Sequence, residues 1–107
     1  MSWTEIGLFQ LENLALTPAR FLYFDLRSER KDLPAPLGAL LKRAQPLSPT
    51  GAEHMIEKTS GGDKTAPILL VCENGTDSAA LARRLSQLGY EQIYVVAGGV
   101  QALLSEA

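Results

Sequence analysis

The sequence is poor in the residues that build metal centres and covalent crosslinks. It contains a single cysteine, Cys72, and a single histidine, His54. One cysteine cannot close an intramolecular disulfide, and these two residues cannot supply the four ligands of an ordinary zinc site. We therefore expect no disulfide and no bound metal, and we predict no cofactor. A reducing, cytoplasmic setting fits this composition.

Long apolar runs and an excess of positive charge are also absent. The densest apolar run, residues 68–72, is too short to span a bilayer, and the first residues lack the pattern of a targeting segment. A net charge of −2 and a pI near 5.3 do not provide the broad basic field that binds phosphate backbones. We predict a soluble protein that binds neither nucleic acid nor a membrane. Its 107 residues fit one domain, residues 1–107, with a single core.

Apolar runs with strand character alternate along the chain with segments of helical period. Residues 21–26, 68–71 and 93–96 are continuously apolar or nearly so. Strands have this composition when helices cover both faces of a parallel sheet. The alternation therefore predicts an α/β fold with right-handed crossovers and a mostly parallel sheet.

The segments between these runs contain the predicted helices. Leucines at helical spacing indicate a helix over residues 78–88, and a short final helix is predicted over residues 100–106. Ser48 followed by Pro49 is typical of a helix start, and Gly61-Gly62 is typical of its end.

Two segments have less regular patterns. Residues 4–14 are amphipathic, but the pattern does not decide between helix and strand. Residues 30–46 contain three prolines, and we predict mostly loop there, with a short strand around residues 39–41.

The position of Cys72 suggests chemistry. Ligands of open parallel sheets bind beyond the carboxyl ends of the strands, and Cys72 directly follows the apolar run 68–71. Gly75, in the loop after it, can adopt the positive φ that an inward-turning loop requires. Such a loop points backbone N–H groups at the sulfur and stabilises negative charge there. Without this loop, a lone cysteine at a strand end is usually an ordinary core residue.

Three segments carry a resemblance to the single-domain rhodanese family. Residues 67–103 resemble its second half: strand, catalytic cysteine in a short loop, leucine-rich helix, Gly-Tyr, strand, Gly-Gly and final helix. FDLR, residues 24–27, is similar to the Asp-x-Arg signature that ends an earlier strand. PLGA, residues 36–39, resembles the family's His-x-Pro-Gly-Ala segment without its histidine. The resemblance implies an α/β three-layer sandwich, with a mostly parallel central sheet of about five strands flanked by helices.

The resemblance also implies sulfur transfer through a persulfide on Cys72. It gives Asp25 the role of a structural signature and assigns substrate binding to the loop and its rim. The residues so assigned are Glu73, Asn74, Gly75, Thr76, Asp77, Ser78 and Arg27. The loop has the length typical of sulfurtransferases, whereas cysteine phosphatases need an arginine at the position of Ser78. The implied partners are a small sulfur donor or acceptor, or a partner protein that carries a persulfide.

The loop departs from the family pattern in its charge. Active members usually carry a basic residue after the cysteine or at the loop end, where this chain has Glu73 and Asp77. Like charges about 4 Å apart repel by roughly 1 kcal/mol in water and about 4 kcal/mol at a protein surface. Asp77 could also cap the following helix, and Arg27 could pair with Asp25 or replace the missing cation. A leucine near Leu103 stands in place of the family's usual tryptophan.

These features leave three hypotheses open. The first is a sulfurtransferase or sulfane-sulfur carrier that reacts weakly with thiosulfate because of its acidic loop. The second is a catalytically degenerate interaction or regulatory module that has kept the fold. The third is a thiol redox sensor, which would need an accessible cysteine and a partner thiol.

Overall fold

A parallel β-sheet forms the centre of the computed structural model, which describes residues 3–15, 21–28, 33–35 and 37–106. The strands are β1 Thr4–Ile6, β2 Leu22–Asp25, β3 Gln45–Pro46, β4 Ile68–Val71 and β5 Ile93–Val96. The helices are α1 Leu8–Ala15, α2 Leu37–Lys42, α3 Ala52–Ser60, α4 Thr76–Gln87 and α5 Gly99–Glu106. The strand order is β1-β5-β4-β2-β3, and every neighbouring pair is parallel.

Helices cover both faces of the sheet. Successive side chains of a strand point to opposite faces, so Ile68 and Leu70 of β4 pack in the core with α3 and α4. Leu69 and Val71 pack on the other face with α1, α2 and α5. All four residues of β4 are buried, which explains why this strand is continuously apolar. The α/β three-layer sandwich with five strands is therefore confirmed.

The central strands and the last two helices agree with the sequence prediction. The runs 68–71 and 93–96 form β4 and β5 with the predicted bounds, and β2 is shorter than the predicted run. Helix α4 begins two residues before its predicted start, and α5 begins at Gly99. These elements have strong apolar periodicity over their whole length, which leaves little ambiguity about their type.

The prediction for residues 39–41 was wrong, because they lie in helix α2. Leu37 and Leu41 are four residues apart and both are buried, so the segment packs with helical period against the sheet. The strand of this region is β3, at the end of the segment. Residues 30–32 and Pro36, which belong to the predicted loop and to the PLGA segment, lie outside the described residues.

Two helix boundaries could be determined only from the structure. The amphipathic segment 4–14 divides at Gly7 into strand β1 and helix α1. Helix α3 begins after Gly51, which has φ 77°, so Ser48 and Pro49 do not form its start as predicted. Its predicted end is confirmed, because Gly61 lies in the left-handed region and terminates the helix.

No helix formed by the described residues has the length and apolar character needed to cross a membrane.

Candidate active site

Cys72 lies at the carboxyl edge of the sheet, directly after β4. The strands beside it end at the same edge, since the Leu26 N–H donates to the Val71 carbonyl at 2.7 Å. The Cys72 side chain is in the core on the α3 and α4 face, and the residue is only 1% exposed. The sequence predicted a ligand site at this edge of the sheet. The thiol, however, is buried there and does not lie at the protein surface.

The loop between β4 and α4 directs two backbone N–H groups at the sulfur. The Gly75 N–H donates to Cys72 Sγ at 3.0 Å, and the Ser78 N–H donates at 3.4 Å. Gly75 has φ 91°, as predicted, and it immediately precedes α4. The first N–H groups of a helix have no intrahelical acceptor, and the helix dipole is positive at this end. The sulfur therefore occupies a position that stabilises negative charge.

Helix α5 holds this loop from the other side. The Val100 N–H donates to the Cys72 carbonyl at 2.8 Å, and the Gln101 N–H donates to the Glu73 carbonyl at 3.0 Å. A Cβ atom on Gly99 would lie 2.4 Å from the Cys72 carbonyl oxygen and 2.7 Å from the Asn74 nitrogen. Glycine is therefore required at this contact, because both neighbouring atoms belong to the backbone.

Sequence reasoning did not assign this role to the start of α5. The signal that could have indicated it is the Gly98-Gly99 pair after β5. A Cβ on Gly75 would itself lie 3.1 Å from the Gly98 nitrogen, so the two glycine turns are in direct contact. The cysteine loop and the β5–α5 turn are thus one packed unit.

The remaining loop side chains shape the loop or lie at its rim. The Asn74 side-chain oxygen accepts a hydrogen bond from the Thr76 N–H at 3.0 Å, which forms a local Asx turn. Glu73 and Asp77 are both exposed. Asp77 is not the helix cap that the sequence suggested, because Gly75 occupies that position. Its carboxylate instead lies in the first turn, where the helix dipole favours a negative charge.

Asp25 and Arg27 form a buried ion pair beside the loop. The Arg27 Nη2 and Asp25 Oδ2 atoms are 2.8 Å apart, and Nε and the backbone N–H also donate to the carboxylate. The pairing of Arg27 with Asp25 that the sequence suggested is thus present. Asp25 is paired with Val71 in the sheet register, so Arg27 lies level with the start of the cysteine loop. Much of its charge is balanced by Asp25, which weakens it as a substitute for a loop cation.

Tyr23 lies on the same side of β2 as Asp25. Its buried hydroxyl has no hydrogen-bond partner in the described part of the chain. Burial raises the pKa of Tyr23, the Asp25 carboxylate raises it further, and Arg27 lowers it by a smaller amount. The phenol consequently stays protonated at neutral pH.

A cavity of about 570 Å³ lies next to this ion pair. Asp25, Arg27 and Lys42 supply its charged lining, and residues in and around α2 supply most of the rest. Among the described lining residues, none comes from the loop 72–78, so the cysteine loop does not form this cavity. The described residues also contain no cluster of three or more His, Cys, Asp or Glu side chains that could hold a metal ion.

Comparison with proteins of known sequence finds a relative whose name describes sulfur chemistry. The thiosulfate sulfurtransferase GlpE of Tolumonas auensis is 33% identical over 57 residues, which are 49% of this chain and 54% of that protein. The match thus spans about half the length of this relative.

Solved structures with a similar fold cover nearly the whole chain. A rhodanese homolog from the extremely thermophilic bacterium Thermus thermophilus has a TM-score of 0.59 at 28% identity, over 92% of this chain and 99% of that chain. A NAD-dependent persulfide reductase from A. fulgidus has a TM-score of 0.63 at 18% identity, over 92% of this chain and 16% of that chain. The second likeness concerns the fold alone.

The model of the rhodanese-like domain matches residues 16–106, which include the Asp25–Arg27 pair, the cysteine loop and the glycine turn before α5. The match takes in most of the 107-residue chain. This chain therefore belongs to the rhodanese-like domain family.

Proposed function

We propose that the protein is a sulfurtransferase or sulfane-sulfur carrier that forms a persulfide on Cys72. The observation that carries this proposal is the pair of N–H groups directed at Cys72 Sγ, from Gly75 at 3.0 Å and Ser78 at 3.4 Å. Such donors stabilise a sulfur anion, which is the nucleophilic form of cysteine. The family membership and the partial match to a thiosulfate sulfurtransferase support the same chemistry.

Sulfur transfer on Cys72 takes two balanced steps. First, the thiolate attacks the outer sulfur of a donor RS–SH, a bond forms between Sγ and that sulfur, and the donor S–S bond breaks. The leaving group RS⁻ takes the bonding electron pair, and the proton stays on the transferred sulfur. Second, an acceptor thiolate attacks the outer sulfur of the Cys72 persulfide and breaks its bond to Sγ. The Cys72 thiolate is restored, so the cycle needs no oxidant or reductant.

The charges at the loop rim favour donors that are not strongly anionic. Glu73 lies in the loop and Asp77 in the first turn of α4; both are exposed, and neither is paired with a basic side chain among the described residues. Thiosulfate, with two negative charges, is repelled by both carboxylates. Glutathione persulfide or a persulfide on a partner protein carries less charge at the reacting sulfur. We therefore propose these as better donors than thiosulfate.

Intact-mass measurement after exposure to single donors tests this function. The purified protein is incubated separately with thiosulfate, mercaptopyruvate and glutathione persulfide, and the excess donor is removed. We expect a mass gain of one sulfur atom, with glutathione persulfide giving the highest loaded fraction. Absence of any gain from all three donors would refute a carrier or transferase role for these small donors.

Reversing the charge of Glu73 is expected to improve the reaction with thiosulfate. The Glu73→Arg variant removes a repulsive charge and adds an attractive one next to Cys72. We expect the apparent KM for thiosulfate to fall about tenfold at low ionic strength, which corresponds to roughly 1.4 kcal/mol. The gain should shrink at high salt because mobile ions screen exposed charges. Steady-state thiosulfate kinetics at two salt concentrations measure both effects.

Glu91→Arg is the matched control for this charge reversal. Glu91 is exposed and precedes β5, so it lies at the amino edge of the sheet, opposite the cysteine loop. The control changes the net charge equally but leaves the site unaltered. Equal KM values in Glu73→Arg and wild type would show that the Glu73 carboxylate does not repel the donor. A weaker reaction in the variant would instead mean that Glu73 contacts the true substrate.

A second candidate function is an interaction module that has kept the fold without turnover. The observation that favours it is the 1% exposure of Cys72, together with a rim that carries two acids. In such a module the loop is a packed structural element, and Glu73 and Asp77 bind a basic surface of a partner protein. Failure of all three donors to load Cys72 in the mass measurement would favour this second candidate.

A further inference from the structure

Ser78 has a buried hydroxyl that is not used by the resting structure. The residue is 0% exposed, and its Oγ has no hydrogen-bond partner among the residues that the structure describes. A serine inside a helix commonly donates to the carbonyl four residues before it, but no such bond is present here. Burying a hydroxyl without a partner costs free energy, so this arrangement needs an explanation.

The hydroxyl belongs to the residue whose backbone N–H already contacts the sulfur. The Ser78 nitrogen is 3.4 Å from Cys72 Sγ, and Ser78 lies in the first turn of α4. Every Cα–Cβ bond in an α-helix tilts toward the helix N-terminus, which here is the side of the cysteine loop. Rotation about χ1 between staggered positions then changes the direction of the hydroxyl without moving the backbone.

The other polar side chains of the loop are less suited to contact the sulfur. Thr76 and Asp77 are exposed, and the Asn74 side-chain oxygen is occupied by the Thr76 N–H. Ser78 packs inward next to Leu81 and Ala82, and these two residues share the apolar core cluster with Cys72. In these surroundings a hydroxyl has few alternatives to sulfur as an acceptor.

We propose that the Ser78 hydroxyl is a catalytic donor to the outer sulfur of the Cys72 persulfide, which rests on the proposed function. Once the persulfide has formed, the leaving thiolate RS⁻ takes the proton from the outer sulfur, and the negative charge then lies on a sulfur about 2 Å beyond Sγ. The Gly75 N–H donates to Sγ at 3.0 Å, so the negative charge on the outer sulfur needs another hydrogen-bond donor. Ser78 keeps its proton and donates only a hydrogen bond. The hydroxyl is thus unpartnered in the resting state because its acceptor arrives with the substrate.

Ser78→Ala separates this role from a structural one. The loading equilibrium is measured by intact mass at fixed ratios of glutathione persulfide to glutathione. In this exchange Cys72 gains one sulfur atom and the glutathione thiolate leaves. We expect the loading constant of Ser78→Ala to fall about ten- to hundredfold, the range of a lost hydrogen bond to a charged group. The Tm should stay equal or rise by a few degrees, because the variant removes a buried unpartnered hydroxyl.

Ser105→Ala is the control, since Ser105 is exposed on α5 and its hydroxyl donates only to the Gln101 carbonyl. An unchanged loading constant in Ser78→Ala, with wild type loading normally, would overturn this inference and leave the proposed function intact. A lowered Tm in Ser78→Ala would also overturn it, because the hydroxyl would then have a partner in the resting fold. If wild type does not load sulfur at all, the proposed function fails and this inference fails with it.

Discussion

Replacing Cys72 with serine is expected to abolish persulfide formation while the fold stays intact. Cys72 is the only cysteine of the chain, so no second thiol can replace it. A serine hydroxyl is not ionised at neutral pH and is a weak nucleophile without an adjacent base. Serine oxygen can still accept the N–H groups of Gly75 and Ser78, which lie 3.0 and 3.4 Å from the sulfur. We therefore expect the unfolding free energy to change by no more than about 1 kcal/mol.

The measurements are the mass gain after exposure to glutathione persulfide, the cyanide-dependent formation of thiocyanate, and a thermal melt of each protein. Cys72→Ala is a useful companion, because it removes the thiol and also leaves the two N–H groups without an acceptor. It should lose sulfur loading like the serine variant but be less stable than that variant. Residual sulfur loading in Cys72→Ser above the level without protein would contradict the assignment of the chemistry to this thiol.

The Gly99→Ala substitution is expected to disrupt the cysteine loop from outside it. Gly99 has φ 65°, and a Cβ there would lie 2.4 Å from the Cys72 carbonyl oxygen. The unfavourable φ costs about 1–3 kcal/mol, and the overpacking adds about 1–3 kcal/mol. The loop can relieve the clash only by moving away from α5, which would displace the N–H groups that face the sulfur. We expect sulfur loading to slow by about 100-fold, the typical cost of losing one preorganised N–H donor.

Gly62→Ala provides the matched control for this substitution. Gly62 also has a positive φ, 80°, but a Cβ there would meet no atom within 4 Å. The control therefore carries the backbone cost without the clash, and it lies in the turn after α3, away from the loop. Chemical denaturation and loading kinetics of both variants isolate the contact between Gly99 and the loop. Equal stability and equal loading rates in the two variants would show that this contact is not important.

The sequence predicted the parts of the fold in which local pattern and tertiary packing agree. Strands β4 and β5 are apolar throughout, and their burial on both faces selects that composition. Helix α4 has leucines at helical spacing, and the same residues, Leu81 and Leu85, pack in the core. The positive φ of Gly75 was also predictable, because a short loop that turns back on a strand end requires it.

The predictions that were wrong concern segments whose local signals compete. Ser48-Pro49 is a good helix start by composition, yet α3 begins after Gly51, where the chain has turned far enough to place Ala52 and Ile56 in the core. The prolines around α2 suggested a loop, but the burial of Leu37 and Leu41 stabilises a helix there. In both segments tertiary burial outweighs the local preference of the backbone.

The amino-acid sequence by itself determined the fold class, the family, and the position of Cys72 at a strand end followed by an inward-turning loop. Tertiary structure alone decided how deeply the thiol is buried, that Arg27 is neutralised by Asp25, and that Gly99 touches the cysteine loop. It also showed the unpartnered hydroxyl of Ser78. Strand and helix patterns reflect short-range periodicity, which a sequence displays directly. Burial and hydrogen-bond partners depend on the distances between segments far apart in the chain, and these distances exist only after the sheet has brought β4, β5 and the start of α5 together.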